Sequence, residues 1–479
     1  MEAMKKCVKV GCSKVYDMEK LYARLLIVSQ SRHIDLSELF KYELSPVPSS
    51  LFDEYGDMRK GSKAVLLNTL AVFANDPLET VDAELVDGNE AIYHKLWPKN
   101  VTVKGFAEDF VNTFARNHDT YVIFDRYNEQ SIKSHEHRRR AKGTVSRKYT
   151  LKSDTTLPAK DAVMTSAENK KALINFICNT TYTNSSLHLI GEDGIFGHEE
   201  ADTNLISYLL KLLPEKRHLQ IVAADTDIFV LLVFFWWLKK PSVQVSMKKY
   251  DGKVIDINAT ALKLKDKCFD LLAIHALSGC DSVSYPFGKG KVSAINLLLK
   301  SDLKLEIFSD PEANETDWLT AGTKFLSALY GGLKAQSLNQ LRFTLFSRKK
   351  EPPKIRSLPP TDEAAIQHVR RARLQAVIWR AADKSEPPKL EICAFGWKLE
   401  AGIPSPEFGT TVVAPSSVLQ IVACSCKSQP PCSTNRCSCQ SARLSCTTYC
   451  SCSGDEVCAN EHTVSMDSMS ATPDEEDDD

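Results

Sequence analysis

Ile221-Val222-Ala223-Ala224-Asp225-Thr226-Asp227 is the stretch whose reading decides the fold of this chain. A short apolar run ends in acidic residues and leads directly into Ile228 to Leu238, IFVLLVFFWWL. That second run is too short to span a bilayer and starts just after two carboxylates, so it reads as a buried strand end and helix. The same pattern occurs twice upstream, in Glu84-Leu85-Val86-Asp87 and Tyr121-Val122-Ile123-Phe124-Asp125. Apolar runs separated by helical stretches predict a parallel α/β sheet. In such sheets function collects beyond the carboxyl ends of the strands, where all three acids fall.

Other acids extend the set. Glu200 and Asp202 open a helix in HEEADTNLISYLL, Asp225 and Asp227 form D-T-D, and Asp281 lies in LSGCDSVSYPFGKGK. Each alone reads as a helix-start or turn acid; the order of all seven makes the case. Val86-Asp87-Gly88, Val122-Ile123-Phe124-Asp125 followed by SIKSHEHRRRAKG, Glu200-Ala201-Asp202, Asp225-Thr226-Asp227, Gly279-Cys280-Asp281 and Gly288-Lys289-Gly290-Lys291 occur in that sequence. Over about residues 80 to 300 the arrangement resembles the flap-endonuclease branch of the PIN-like nucleases.

The resemblance implies phosphodiester hydrolysis with two Mg2+ or Mn2+ ions. Such chemistry needs an activated water and a clamp on the leaving oxygen, which two ions about 4 Å apart supply. It implies that Asp87, Asp125, Glu200 and Asp202 serve one ion, and Asp225, Asp227 and Asp281 the other, with Asp202 between them. It assigns Lys133 and Arg139 to the scissile phosphate. Arg138 and Arg140, with Lys142, Arg147 and Lys148, read either as a single-strand channel or as a solvated basic loop. Gly288, Lys289, Gly290 and Lys291 fit sequence-independent duplex contact, since glycines let backbone amides approach a phosphate. His198 and His275 read as satisfied core or surface histidines, and Trp236 and Trp237 as core. The first 80 residues have no counterpart in flap endonucleases, so substrate geometry does not transfer.

Nine of the fifteen cysteines lie at 424, 426, 432, 437, 439, 446, 450, 452 and 458. An odd number argues against a disulfide framework, and the start MEAMKKCVKVGC has no apolar signal region. Thiolates suit tetrahedral zinc. Three zinc ions need twelve thiolate bonds, which nine cysteines supply if three of them bridge. The segment Cys424, Cys426, Cys432, Cys437, Cys439, Cys446, Cys450, Cys452 and Cys458 resembles the tesmin-type CXC domain, which implies zinc and, in several members, DNA binding. Lys427, Arg436 and Arg443 are the local cations, and Tyr449 is a candidate groove or stacking residue. A zinc-stapled docking module is an equal alternative. The joined architecture resembles transposon-associated animal proteins.

The remaining sequence sets bounds. The 479 residues correspond to roughly three domains. The formal net charge is -1, and without the acidic run Asp474 to Asp479 it is +5, a mildly basic body compatible with nucleic acid. The expected organisation is an N-terminal extension (1–80), a nuclease domain (81–345), a linker (346–360), a helical connecting segment (361–415), a zinc module (421–460) and an acidic tail (461–479). In the segment after the linker, Ala365, Val369, Ala372, Ala376 and Trp379 form a helical packing stripe, leaving Arg370, Arg371 and Arg373 on a solvated basic face.

The fold class expected is therefore α/β: a PIN-like parallel sheet flanked by helices, with a small Cys-rich zinc module at the C-terminus. The function expected is a nuclear, metal-dependent, structure-selective nuclease acting on DNA or RNA. It needs no membrane, and chromatin proteins are further expected partners. The alternative is a non-enzymatic, zinc-dependent DNA- or chromatin-binding protein with a PIN-like scaffold.

Overall fold

Alternate residues of the apolar runs face opposite ways, as a strand requires. In the computed structural model Leu85, Ile123 and Ile221 join one hydrophobic cluster, while Val86, Val122 and Val222 join another. A sheet buried on both faces results, which is why these runs lack polar alternation. The structure describes residues 8–10, 13–15, 22–23, 25–26, 35–74, 80–126, 147–409, 413–415, 424–441, 446, 450–454 and 457–462.

A hairpin of β1 (Val8–Val10) and β2 (Ser13–Val15) precedes the main sheet. The sheet contains β3 (Ala83–Asp87), β4 (Asp119–Ile123), β5 (Leu187–Ile190), β6 (His218–Val222), β7 (Gln244–Lys248) and β8 (Val254–Asp256). Its order is β5-β4-β3-β6-β7-β8, parallel throughout except for β8, which runs antiparallel to β7 at the edge. The expected α/β sheet is present. From β3 the chain builds outward to β4 and β5, then returns to lay β6 on the other side of β3. The carboxyl ends of β3 and β6 thus flank a topological switch point, where open α/β sheets form their crevice.

Seven helices matter for the site: α1 (Ala64–Leu70), α2 (Gly88–His94), α3 (Ala201–Leu212), α4 (Thr226–Lys239), α5 (Leu271–Leu277), α6 (Lys291–Lys300) and α7 (Asp362–Arg380). Asp225 caps α4, accepting from the Asp227 amide. From Ile228 to Phe235 every residue of α4 is buried. Each large side chain so buried contributes roughly 1.5–3 kcal/mol, which fixes the start of this helix firmly. Trp236 and Trp237 lie half-buried against the same core. Among the described residues no helix is long and apolar enough to cross a membrane.

The boundaries expected at residue 80 and at 346–360 are not breaks in space. Leu66, Leu67 and Leu70 of α1 and the stripe Ala365, Val369, Ala372, Ala376 and Trp379 of α7 all belong to the main core. Ile355 and Leu358 of the expected linker are buried with Phe40 and Leu44. The basic face expected on α7 is also corrected. Arg371 is buried and donates to the carbonyls of Gly396 and Glu407, and Arg373 is buried and donates to those of Phe308 and Asp310. Each guanidinium donates to backbone carbonyls outside its own helix, a use that periodicity does not reveal. Arg370 pairs with Glu315 at 2.8 Å.

Candidate metal centre and cysteine module

Three parallel neighbours deliver the first acids. Asp87 ends β3 and caps α2, accepting from the amides of Asn89 (2.9 Å) and Glu90 (3.0 Å). Asp125 lies two residues past β4, and Asp225 three past β6. Asn89 ties the first pair together, with its amide on Asp87 and its side chain donating to Asp125. The other oxygen of Asp125 accepts from the Ala201 amide at 2.7 Å, at the start of α3. That contact sets α3, capped by Glu200 and carrying Asp202 in its first turn, against the end of β4. Across the crevice, Glu90 accepts from the Ala224 amide at 2.7 Å.

The carboxylates of Asp202, Asp225 and Asp227 converge, with ligand oxygens within 4.8 Å of one another. Burial, and then the charge of Asp125, push the Asp87 carboxyl up to about 7. Burial and the adjacent Asp227 push Asp225 up to about 6. Carboxylates gathered this closely disfavour their own ionisation, and a divalent cation removes that cost. Oxygen donors of this kind suit Mg2+ or Mn2+. The residues on this side fit such an ion.

The other side differs. Lys63 places its ammonium 2.9 Å from Asp281, 3.1 Å from Asp227 and 3.9 Å from Asp225. These are the three acids that the resemblance assigns to a second ion. Burial pulls Lys63 down, but Asp227, Asp225 and Asp281 outweigh it and hold the ammonium above the usual lysine range. Asp227 also contacts His275 Nε2 at 2.7 Å. Burial holds His275 down to about 4. Its ring is therefore neutral and donates to the carboxylate, and Lys63 is the cation that keeps Asp227 ionised.

Lys63 has a built position. It is the N-cap residue of α1, whose leucines are in the core. The preceding segment is pinned to the loop after Asp281: the Tyr285 amide donates to Arg59 O at 2.8 Å, and the Phe287 amide to Ser50 O at 2.8 Å. Lys60 donates to Asp281 O at 2.6 Å. A Cβ on Gly61 or on Gly290 would strike the Tyr285 ring, at 2.3 and 1.9 Å, so both glycines are needed for this close approach.

The remaining expected residues divide clearly. Gly288 is exposed with φ +65° and Lys289 is half-buried beside it, whereas Gly290 is buried. Lys291 corrects the expected duplex contact. It is buried at the start of α6, donating to His275 O (2.6 Å) and Ser278 Oγ (3.0 Å), and burial pushes it down to about 7. His198 is a buried core histidine, with Nε2 at 2.9 Å from Lys384 O and Nδ1 buried without a partner among the described residues. Lys133, Arg138, Arg139, Arg140 and Lys142 lie outside the described residues, as do Arg443 and Tyr449. Arg147 is exposed, Lys148 pairs with Glu168 at 2.9 Å, and Lys427 and Arg436 are exposed. Lys63, Glu90, Asn89 and the His275 contact were missed by sequence reasoning. Glu90 alone carried a signal, as an acid in the first turn after Asp87.

The nine C-terminal cysteines form a cluster of their own. Among the described residues no cysteine is in a disulfide. Three tetrads bring their sulfurs within 4.8 Å: Cys424, Cys432, Cys446 and Cys452; Cys424, Cys437, Cys439 and Cys446; Cys424, Cys426, Cys432 and Cys437. Cys424 belongs to all three, and Cys432, Cys437 and Cys446 each to two, so the groups overlap. Cys450 lies 3.5 Å from Cys439, and Asn460 donates to Cys446 Sγ at 3.2 Å. Four-thiolate groups of this kind fit zinc.

No family model and no curated protein matches this chain. Among solved structures, the bacteriophage T5 protein co-crystallised with metal ions is similar over 63% of this chain and 96% of its own, at 16% identity and a TM-score of 0.31. The bacteriophage T5 flap endonuclease in a pseudo-enzyme-product complex with DNA and metal ions is similar over 62% and 98%, at 16% identity and 0.31. The catalytic core of Rad2 in complex with DNA substrate is similar over 62% and 86%, at 13% identity and 0.31.

Proposed function

We propose that this chain is a divalent-metal-dependent nuclease that hydrolyses phosphodiester bonds in DNA, selecting substrate by structure, with a zinc-bound cysteine module that targets it to DNA or chromatin in the nucleus. The observation that carries the reading is the convergence of Asp202, Asp225 and Asp227 beside the switch-point crevice that Asp87 and Asp125 also border. Asp202, Asp225 and Asp227 would hold a Mg2+ or Mn2+ ion, which would supply water activation and charge compensation for phosphodiester hydrolysis. The chain's own part is orientation. The Ala201 amide and Asn89 aim Asp125, the Asp227 amide aims Asp225, and His275 with Lys63 aims Asp227. Gly288 and Lys289 would serve as a duplex contact, and Lys133 and Arg139 as further phosphate contacts.

The test is cleavage of labelled flap, hairpin and single-stranded DNA with Mn2+, beside the Asp225→Asn, Asp227→Asn double variant. Cleavage by the parent and a loss of 10³-fold or more in the folded variant support the reading. Equal cleavage by both sinks it. Absence of cleavage on every substrate, with the protein folded and zinc-loaded, moves function to the cysteine module.

A further inference from the structure

Resting on that reading, we infer that Lys63 takes the seat of a second metal ion, beside Asp281, so that the carboxylate centre binds one divalent cation and not two. Three observations meet here. The ammonium lies within 4.0 Å of Asp225, Asp227 and Asp281. Its backbone is fixed as the cap of a buried helix. The segment leading to it is bonded to the loop that carries Asp281, both at Tyr285 and through Lys60.

An ammonium offers three donors and no acceptor. Surrounded by Asp227, Asp281 and Asp225, it neutralises one charge where an ion would neutralise two. It sits against Oδ2 of Asp227 and Oδ2 of Asp281, where a second ion would have to bind, so lysine and that second ion exclude each other. His275 then has a defined part. By holding Oδ1 of Asp227 it leaves Oδ2 to Lys63. His275 and Lys63 are positioning residues, and neither need touch substrate to set the metal count.

The test is Mn2+ stoichiometry on the full, zinc-loaded chain, by equilibrium dialysis with electron paramagnetic resonance. One Mn2+ per parent chain, rising to two in Lys63→Met and staying at one in Lys63→Arg, supports the inference. Circular dichroism checks that each variant is folded. If Lys63→Met fails to fold, the parent and Lys63→Arg counts decide alone. The resonance line shape gives a second readout, because two ions held by shared carboxylates couple and broaden one another. Two Mn2+ in the parent overturns the inference while leaving the nuclease reading intact, because the lysine then yields to metal. One Mn2+ in a folded Lys63→Met also overturns it. Zero in parent and variants overturns the nuclease reading as well.

Discussion

The carboxylate centre and the cysteine module both gather groups that could hold metal, and they are built in different ways. Backbone amides, Asn89, His275 and Lys63 aim the carboxylates from strands and helices whose cores lie elsewhere. The cysteines, although Asn460 and the Gln440 amide donate to two of them, lie among described residues with little regular structure. Their described regular structure is the four-residue helix Ser438–Ser441, and their hydrophobic cluster consists of the cysteines themselves. In one region strands and helices with apolar cores of their own make the site; in the other, the clustered thiols are themselves the buried core, which a metal would hold together.

The largest test of that contrast is zinc removal. Structural zinc is worth about 10–16 kcal/mol in small modules. Chelation is expected to unfold residues 424–462 and leave the sheet intact, read by hydrogen exchange or limited proteolysis. Loss of protection in β3, β4 and β6 on chelation breaks the comparison. Next in size is a pair of substitutions. Cys424→Ser removes a sulfur common to all three tetrads, so the module should lose protection outright. Asp202→Asn removes one like charge from a framed site, so thermal unfolding of the sheet should move by less than about 1 kcal/mol.

His275→Gln sharpens the comparison within the carboxylate centre. Partners that orient metal-binding groups typically contribute 10–100-fold in affinity. Mn2+ affinity should fall within that range while the fold persists; an unchanged affinity removes His275 from the positioning role. The smallest effect concerns the frame itself. His368, buried on α7 with Nε2 at 2.9 Å from Leu277 O, is held down to about 3 by burial. Below its ordinary value near 6.5 the unfolded chain takes up a proton that the folded chain refuses. Stability from this group is complete above about 6.5 and is lost as pH falls towards 3. His368→Gln should flatten that limb of urea denaturation of the sheet and leave the cysteine module's pH dependence alone.

What could be read in the sequence follows from the range of the interactions. Asp87, Asp125 and Asp225 were legible because each follows a local apolar run, and Glu200 and Asp202 because they open a helix. The stripe on α7 was legible for the same reason. Lys63 was not: its partner Asp227 is 164 positions away, and nothing near Lys63 marks it. Arg371, Arg373 and Lys291 were misread because a basic side chain off an apolar stripe looks solvated until the carbonyls that receive it are known. Long-range polar pairing has no period, so it leaves no pattern along the chain.

Tyr285, wedged between Gly61 and Gly290, has a consequence for how the molecule is made. The arm bearing Lys60 and Lys63 leaves the ribosome early, yet the loop it docks on follows more than 200 residues later, Lys60 and Asp281 being 221 positions apart. Contacts of such separation form late and slowly. During synthesis the acids of β3 and β4 can therefore be in place while the arm is still undocked. The lysine is among the last parts to arrive, and shortening the chain before Tyr285 leaves the arm with nothing to close upon.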